Sequence, residues 1–212
     1  MTSVSERAAS KPIDYSDYAS TAPGTLAGRY MRRFWHPVLK SEDLKSGRAK
    51  PIKLMSEDFT LYRGESGTPH LVAFRCPHRG TQLSLGYIEG DCLRCMFHGW
   101  MFDSSGQCVD QPAELESFAK EVSIKSWPTQ EYLGLIFVYI GEGEPPPLPR
   151  YPEYEVPGLP MSLDAAPRPC NWINNLDNTL DQVHSVFVHP GLMGKSKPEN
   201  ARMGMEVEES NW

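Results

Sequence analysis

The alternation of apolar and polar positions changes character three times along the chain. From Thr25 to Trp35 (TLAGRYMRRFW), Tyr30, Met31 and Phe34 recur at roughly helical spacing and predict a short helix, preceded by an arm. From Trp35 onward the pattern becomes one of short strands. Phe59–Tyr62, a Gly-rich turn at Gly64–Gly67 and Leu71–Phe74 predict one hairpin. Phe102-Asp103 and Gln107–Val109 around Ser104-Ser105-Gly106 predict a second, and Val122–Trp127 with Leu133–Ile140 a third. Strands at this spacing indicate a small, mainly antiparallel β domain over about residues 35–141, after a 1–34 arm and helix.

Residues 142–170 read as a stiff connector. Nine of the nineteen prolines fall between Pro145 and Pro169, and proline withholds a backbone N–H while keeping the chain extended. Beyond it, Asn174–Val188 has the length of a helix. Leu176, Leu180, Val183 and Phe187 form one apolar stripe, and Asn171 or Asn174 is placed to cap the start. No internal repeat is evident, and the polar stretch after Pro190 shows little periodicity.

A length of 212 residues suits one large domain or two small ones. A net charge of −6 without any Lys/Arg block argues against a nucleic-acid surface. The longest apolar run, Leu133–Ile140, is too short to span a bilayer, and the first ten residues lack the apolar core of a secretory signal. Five cysteines are too few for a disulfide framework at this size, so a reducing cytoplasm is expected, where Cys beside His points to metal chemistry.

Two constellations carry that chemistry. Cys76-Pro77-His78-Arg79-Gly80 is followed by Cys95-Met96-Phe97-His98-Gly99-Trp100: Cys-x-His, sixteen residues, Cys-x-x-His. Two thiolates and two imidazoles on two Gly-containing loops match a [2Fe–2S] centre in which Cys hold one iron and His the other. Structural zinc is the alternative, although Cys-x-His is an unusual zinc spacing. Cys92 with Cys95 is also a CxxC pair, but Cys95 belongs to the fuller pattern. The second constellation lies on the helix after the connector, as Asp177, Asp181, His184 and His189-Pro190. Two His and a carboxylate with open positions is the facial arrangement of non-haem Fe(II) sites. The alternative is a solvated helix face with capping groups. His189 is five residues from His184, about 140° round an ideal helix, so the helix must end or widen there.

From Phe34 to Gly141 the sequence resembles the Rieske domain of Rieske non-haem iron oxygenases, through FRCPHRG, HGWMFDSSGQC and GLIFVYIG. The resemblance implies a mainly β Rieske domain with small antiparallel sheets and the cluster held by two loops. It implies that residues 171–212 begin an α+β catalytic domain, which NNLDNTLDQVHSVFVH resembles. It further implies that Cys76, His78, Cys95 and His98 hold [2Fe–2S] and that His184 and His189 bind mononuclear Fe(II). Asp181 is implied as an inter-subunit electron bridge to His98 or His78, and Asp177 as a polar group near the iron. The family's third ligand is a carboxylate far downstream. Glu199, Glu206, Glu208 and Glu209 sit in no motif of that kind, so the chain is expected to cover about half of an oxygenase subunit.

GTLAGRYMRRFWHPV and the Pro-rich connector most resemble the phthalate and vanillate branch of homotrimers. The expected activity is hydroxylation or O-demethylation of an aromatic substrate with O2. Electrons would come from NAD(P)H through a separate flavin- or ferredoxin-type reductase. The rival reading is a Rieske electron-transfer module, or a truncated subunit complemented by a downstream chain, without oxygenase activity of its own. No nucleic-acid or membrane partner is expected.

Overall fold

The computed structural model describes residues 16–158, 162–166, 168–181 and 183–189. The chain divides into two compact units, one up to Asp164 and one from Ala165.

The first unit opens with helices α1 (Ser16–Ala19) and α2 (Leu26–Met31). Thr25 starts α2 by accepting the Gly28 N–H on its side chain. The helix ends four residues earlier than its apolar spacing suggests, because Trp35 is drawn away: its indole N–H donates to the Pro146 carbonyl at 2.7 Å. Among the described residues, eleven strands follow. They are β1 (His36–Lys40), β2 (Arg48–Leu54), β3 (Glu57–Arg63), β4 (Pro69–Ala73), β5 (Tyr87–Glu89), β6 (Cys92–Arg94), β7 (Met101–Phe102), β8 (Cys108–Asp110), β9 (Ser126–Trp127), β10 (Thr129–Tyr132) and β11 (Leu135–Val138). They form three antiparallel sheets in the orders β1-β11-β10, β2-β3-β4-β9 and β5-β6-β7-β8.

The middle sheet is a partition between two cores. Successive side chains on a strand point to opposite faces. Phe59, Leu61 and Leu71 therefore join Ile136 and Val138 on one side, while Tyr62 and Val72 join Leu93 and Phe102 on the other. This is why β3 is buried continuously from Phe59 to Arg63. Leu61 is fully buried, so Leu61→Ala is expected to lower stability by about 3 kcal/mol. Chemical denaturation measures it, and a change under about 1 kcal/mol would contradict a rigid partition.

The expected hairpins at β3–β4 and β7–β8 are present. The third differs. Ser126-Trp127 pairs with β4, and β11 takes Thr129–Tyr132 as its hairpin partner. The connecting Leu133-Gly134 has φ of 49° and 76°, the two-residue turn that joins immediately adjacent strands. Pro128 separates the two pairings, since it cannot donate to a ladder.

The second unit holds α3 (Trp172–Leu180) and α4 (Val183–Val188). Asn171 caps α3 by accepting the Ile173 N–H. The single helix expected over 174–188 is interrupted at Asp181, whose backbone is extended (φ −83°, ψ 102°). Its Oδ1 instead accepts the N–H groups of Val183 and His184, at 2.9 and 3.3 Å, and so starts α4. Leu176, Leu180, Val183 and Phe187 are all exposed. No helix among the described residues is long and apolar enough to cross a membrane.

Candidate metal centre

The two Cys/His loops are built to one plan. Cys76 follows β4 in the loop before the turn at Leu83–Leu85, and Cys95 lies between β6 and β7. In each loop the Cys N–H donates to a carbonyl five residues on, from Cys76 to Thr81 and from Cys95 to Trp100, both at 2.8 Å. In each, a glycine four residues on returns its N–H to the Cys carbonyl, Gly80 at 2.9 Å and Gly99 at 3.1 Å. The preceding arginine closes each loop, Arg75 onto the Gly80 carbonyl at 2.8 Å and Arg94 onto that of Gly99 at 2.7 Å. Both glycines have positive φ, +71° and +77°. The chain thus repeats Arg-Cys-x-x-x-Gly, contrary to the absence of repeats read from the sequence. The histidine sits at the second place after Cys in one copy and at the third in the other, which hides the match.

The two glycines separate conformational strain from crowding. A side chain at Gly80 meets open space, whereas one at Gly99 comes within 2.7 Å of Pro112. Gly80→Ala is expected to cost about 1 kcal/mol of left-handed backbone strain, and Gly99→Ala more. Thermal unfolding should rank the variants in that order, and equal losses would contradict the close approach of Pro112.

The plan brings unlike residues into like pairs. Cys76 and Cys95 are neighbours in one core cluster, and both are buried. The His78 and His98 rings lie 4.5 Å apart, half-buried, so their outer edges reach the surface. Burial, more than the neighbouring Cys95, pushes the Cys76 thiol up to about 11. A thiolate in that position therefore requires a cation. Among the described residues no three His, Cys, Asp or Glu side chains converge as a single-ion site would need. Adjacent Cys and His pairs are the donor set that a [2Fe–2S] cluster of mixed ligation takes.

Arg94 is further held by both oxygens of Glu89 and by Asp110. Trp100 stacks on His78, with centroids 4.6 Å apart and planes at 6°. Neither contact was anticipated. The repeated Arg-Cys spacing could have exposed the arginine, but nothing local announces the stack. Of the remaining cysteines, Cys92 lies on β6, Cys108 in the core and Cys170 at the surface, all unpaired.

In the second unit, the His184 and His189 rings are 5.7 Å apart. Asp181 Oδ2 is 3.6 Å from His184 Nδ1, and that nitrogen is buried without a hydrogen-bond partner among the described residues. The carboxylate faces His184 Nδ1, which suits it to orienting an imidazole whose other nitrogen would bind a metal, rather than to being a third ligand. Asp177 is exposed on α3, and its carbonyl accepts the Asp181 N–H. Glu199, Glu206, Glu208 and Glu209 lie outside the described residues.

Comparison with known proteins adds four likenesses. Residues 34–128 match the Rieske [2Fe-2S] domain family. The chain is 33% identical over 191 residues to the 5,5'-dehydrodivanillate O-demethylase oxygenase subunit of Sphingobium sp. (strain NBRC 103272 / SYK-6), covering 88% of this chain and 45% of that one. Among solved structures, dicamba monooxygenase bound to dicamba superposes with a TM-score of 0.66 at 27% identity, covering 74% of this chain and 48% of that one. The reduced oxygenase–ferredoxin complex of carbazole 1,9a-dioxygenase gives 0.51 at 32%, covering 55% and 31%. The chain spans about half the length of the curated relatives it matches.

Proposed function

We propose that the chain, which carries a Rieske [2Fe-2S] domain and resembles oxygenase subunits of Rieske non-haem iron oxygenases, belongs with them and takes electrons at the paired loops for O2-dependent oxidation of an aromatic substrate. The observation that carries this reading is the meeting of a buried Cys pair with a half-buried His pair across two matched loops. Cys76 and Cys95 would hold one iron of the cluster, and His78 and His98 the other. His184 and His189 would hold a mononuclear Fe(II). When bound, the cluster supplies one-electron storage, and the Fe(II) supplies O2 activation for hydroxylation or O-demethylation.

The residues of the chain do the rest. Arg75 and Arg94 lock the loop carbonyls, so the four donors are set before metal arrives. The His edges give an electron carrier the shortest approach, since the Cys side is buried. Asp181 holds His184 by capping α4 and by facing its ring. By resemblance, the same carboxylate bridges to a cluster imidazole of an adjacent subunit in a homotrimer. NAD(P)H would be oxidised by a separate reductase, reaching this chain directly or through a ferredoxin.

A second reading, an electron-transfer module without oxygenase chemistry, is separated by metal and O2 analysis. Two irons and two sulfides per chain with the EPR signal of mixed ligation establish the cluster. A third iron, with O2 uptake coupled to an aromatic substrate in the presence of reductase, establishes the oxygenase. Two irons without coupled uptake favour the module.

A further inference from the structure

Trp100 is 5% exposed in a stretch that otherwise turns at the surface, where Met96 and Phe97 are open to solvent. One face of its indole lies flat on the His78 imidazole. The indole's other polar and ring contacts come from a single segment, Gln111–Phe118. The indole N–H donates to Glu114 Oε1 at 3.1 Å, and Phe118 meets the ring edge-on with centroids 5.5 Å apart. That segment is itself pinned. The buried Gln111 accepts on its side chain from the Phe118 N–H and the Ser117 hydroxyl, and on its carbonyl from the Glu114 N–H. Pro112 closes over Gly99, next to Trp100 in sequence. An imidazole on one loop is thus oriented by an indole on the other loop, which a third segment holds still.

We propose that Trp100, held by Glu114 and Phe118, is a positioning residue for His78 and lowers the reduction potential of the cluster that the loops hold. The inference rests on the cluster reading above. An aromatic face is electron-rich, and an imidazole on an oxidised centre is more cationic than on a reduced one. The stack therefore favours the oxidised state. Glu114, accepting from the indole N–H, adds electron density to the same ring. The indole also excludes water, which would favour the more negative, reduced state. All three effects have one sign.

The test uses the holo-protein and the variants Trp100→Leu, Trp100→Phe and Glu114→Gln. Absorption and EPR report whether the cluster is present, dye-linked titration reports its potential, and pulsed EPR reports the two histidine nitrogen couplings. Trp100→Leu is expected to raise the potential, change one of the two couplings and speed cluster loss to a chelator about tenfold. Trp100→Phe, which keeps a ring on His78, should restore most of the wild-type potential and coupling. Glu114→Gln should raise the potential by less than Trp100→Leu does. Wild-type potential and couplings in both Trp100→Leu and Glu114→Gln overturn the inference while leaving the cluster assignment standing. A wild-type protein that assembles no cluster overturns both. If Trp100→Leu does not accumulate with cluster, Glu114→Gln decides: a raised potential supports the inference, and an unchanged one overturns it.

Discussion

Cys76→Ser, His78→Ala, Cys95→Ser and His98→Ala are each expected to abolish the visible absorption and the low-g rhombic EPR signal, whereas Cys92→Ser, Cys108→Ala and Cys170→Ser keep both. The asymmetry follows from position. Cys76 and Cys95 are buried side by side, and burial pushes the Cys76 thiol up, so Cys76 acts as a thiolate only with metal present. Removing one donor leaves three, spread over two loops, for a centre that needs four. Cys108 is equally buried, but its thiol faces the Asp110 carbonyl within β8, so its loss costs about 1 kcal/mol of packing and no cluster. Cys92 and Cys170 are more exposed and on neither loop. Iron and sulfide analysis beside EPR checks the set. A His78→Ala protein with the wild-type spectrum would overturn the assignment.

What could be read from the residues alone depended on whether the determining forces were local. The cluster loops were legible because Cys and His at those offsets have few other uses, and the structure sets His78 beside His98 and Cys76 beside Cys95. Asn171 was legible as one of two candidate caps, with Asn174, because capping needs only a short polar side chain ahead of the helix. β10 was not, because Thr129, Gln130 and Glu131 lack a strand's apolar signature. They pair because the Leu133-Gly134 turn leaves β11 no nearer partner. The break at Asp181 was hidden for a different reason. The apolar stripe runs straight through it, and aspartate suits a helix surface as readily as a helix start. The stack of Trp100 on His78 joins residues 22 apart in sequence on separate loops, and no local pattern encodes that meeting. The Arg-Cys-x-x-x-Gly repeat was written in plain residues but lay concealed under the one-place shift of its histidine.

The second large effect concerns Asp181 and the two histidines of the other unit. Asp181 has two tasks that substitution can separate. Its Oδ1 caps α4, which places the backbone of His184, while its Oδ2 lies 3.6 Å from a His184 nitrogen that has no other partner among the described residues. Asparagine caps helices as well as aspartate does but carries no charge. Asp181→Asn should therefore keep the helix start and the mononuclear iron, yet lose substrate oxidation about 10- to 100-fold, as expected when a carboxylate behind a metal-bound imidazole is neutralised. Asp181→Ala should lose the cap too, about 1 kcal/mol, and hold the iron less tightly. His184→Ala and His189→Ala should lose that iron while the cluster's EPR signal persists, because the four proposed cluster ligands lie in the first unit. The measurements are metal content, EPR and single-turnover product yield in protein competent for turnover. If His184→Ala and His189→Ala both retain full mononuclear iron, these histidines are not its ligands and the site lies elsewhere. If Asp181→Asn turns over at the wild-type rate, the carboxylate serves only as a cap.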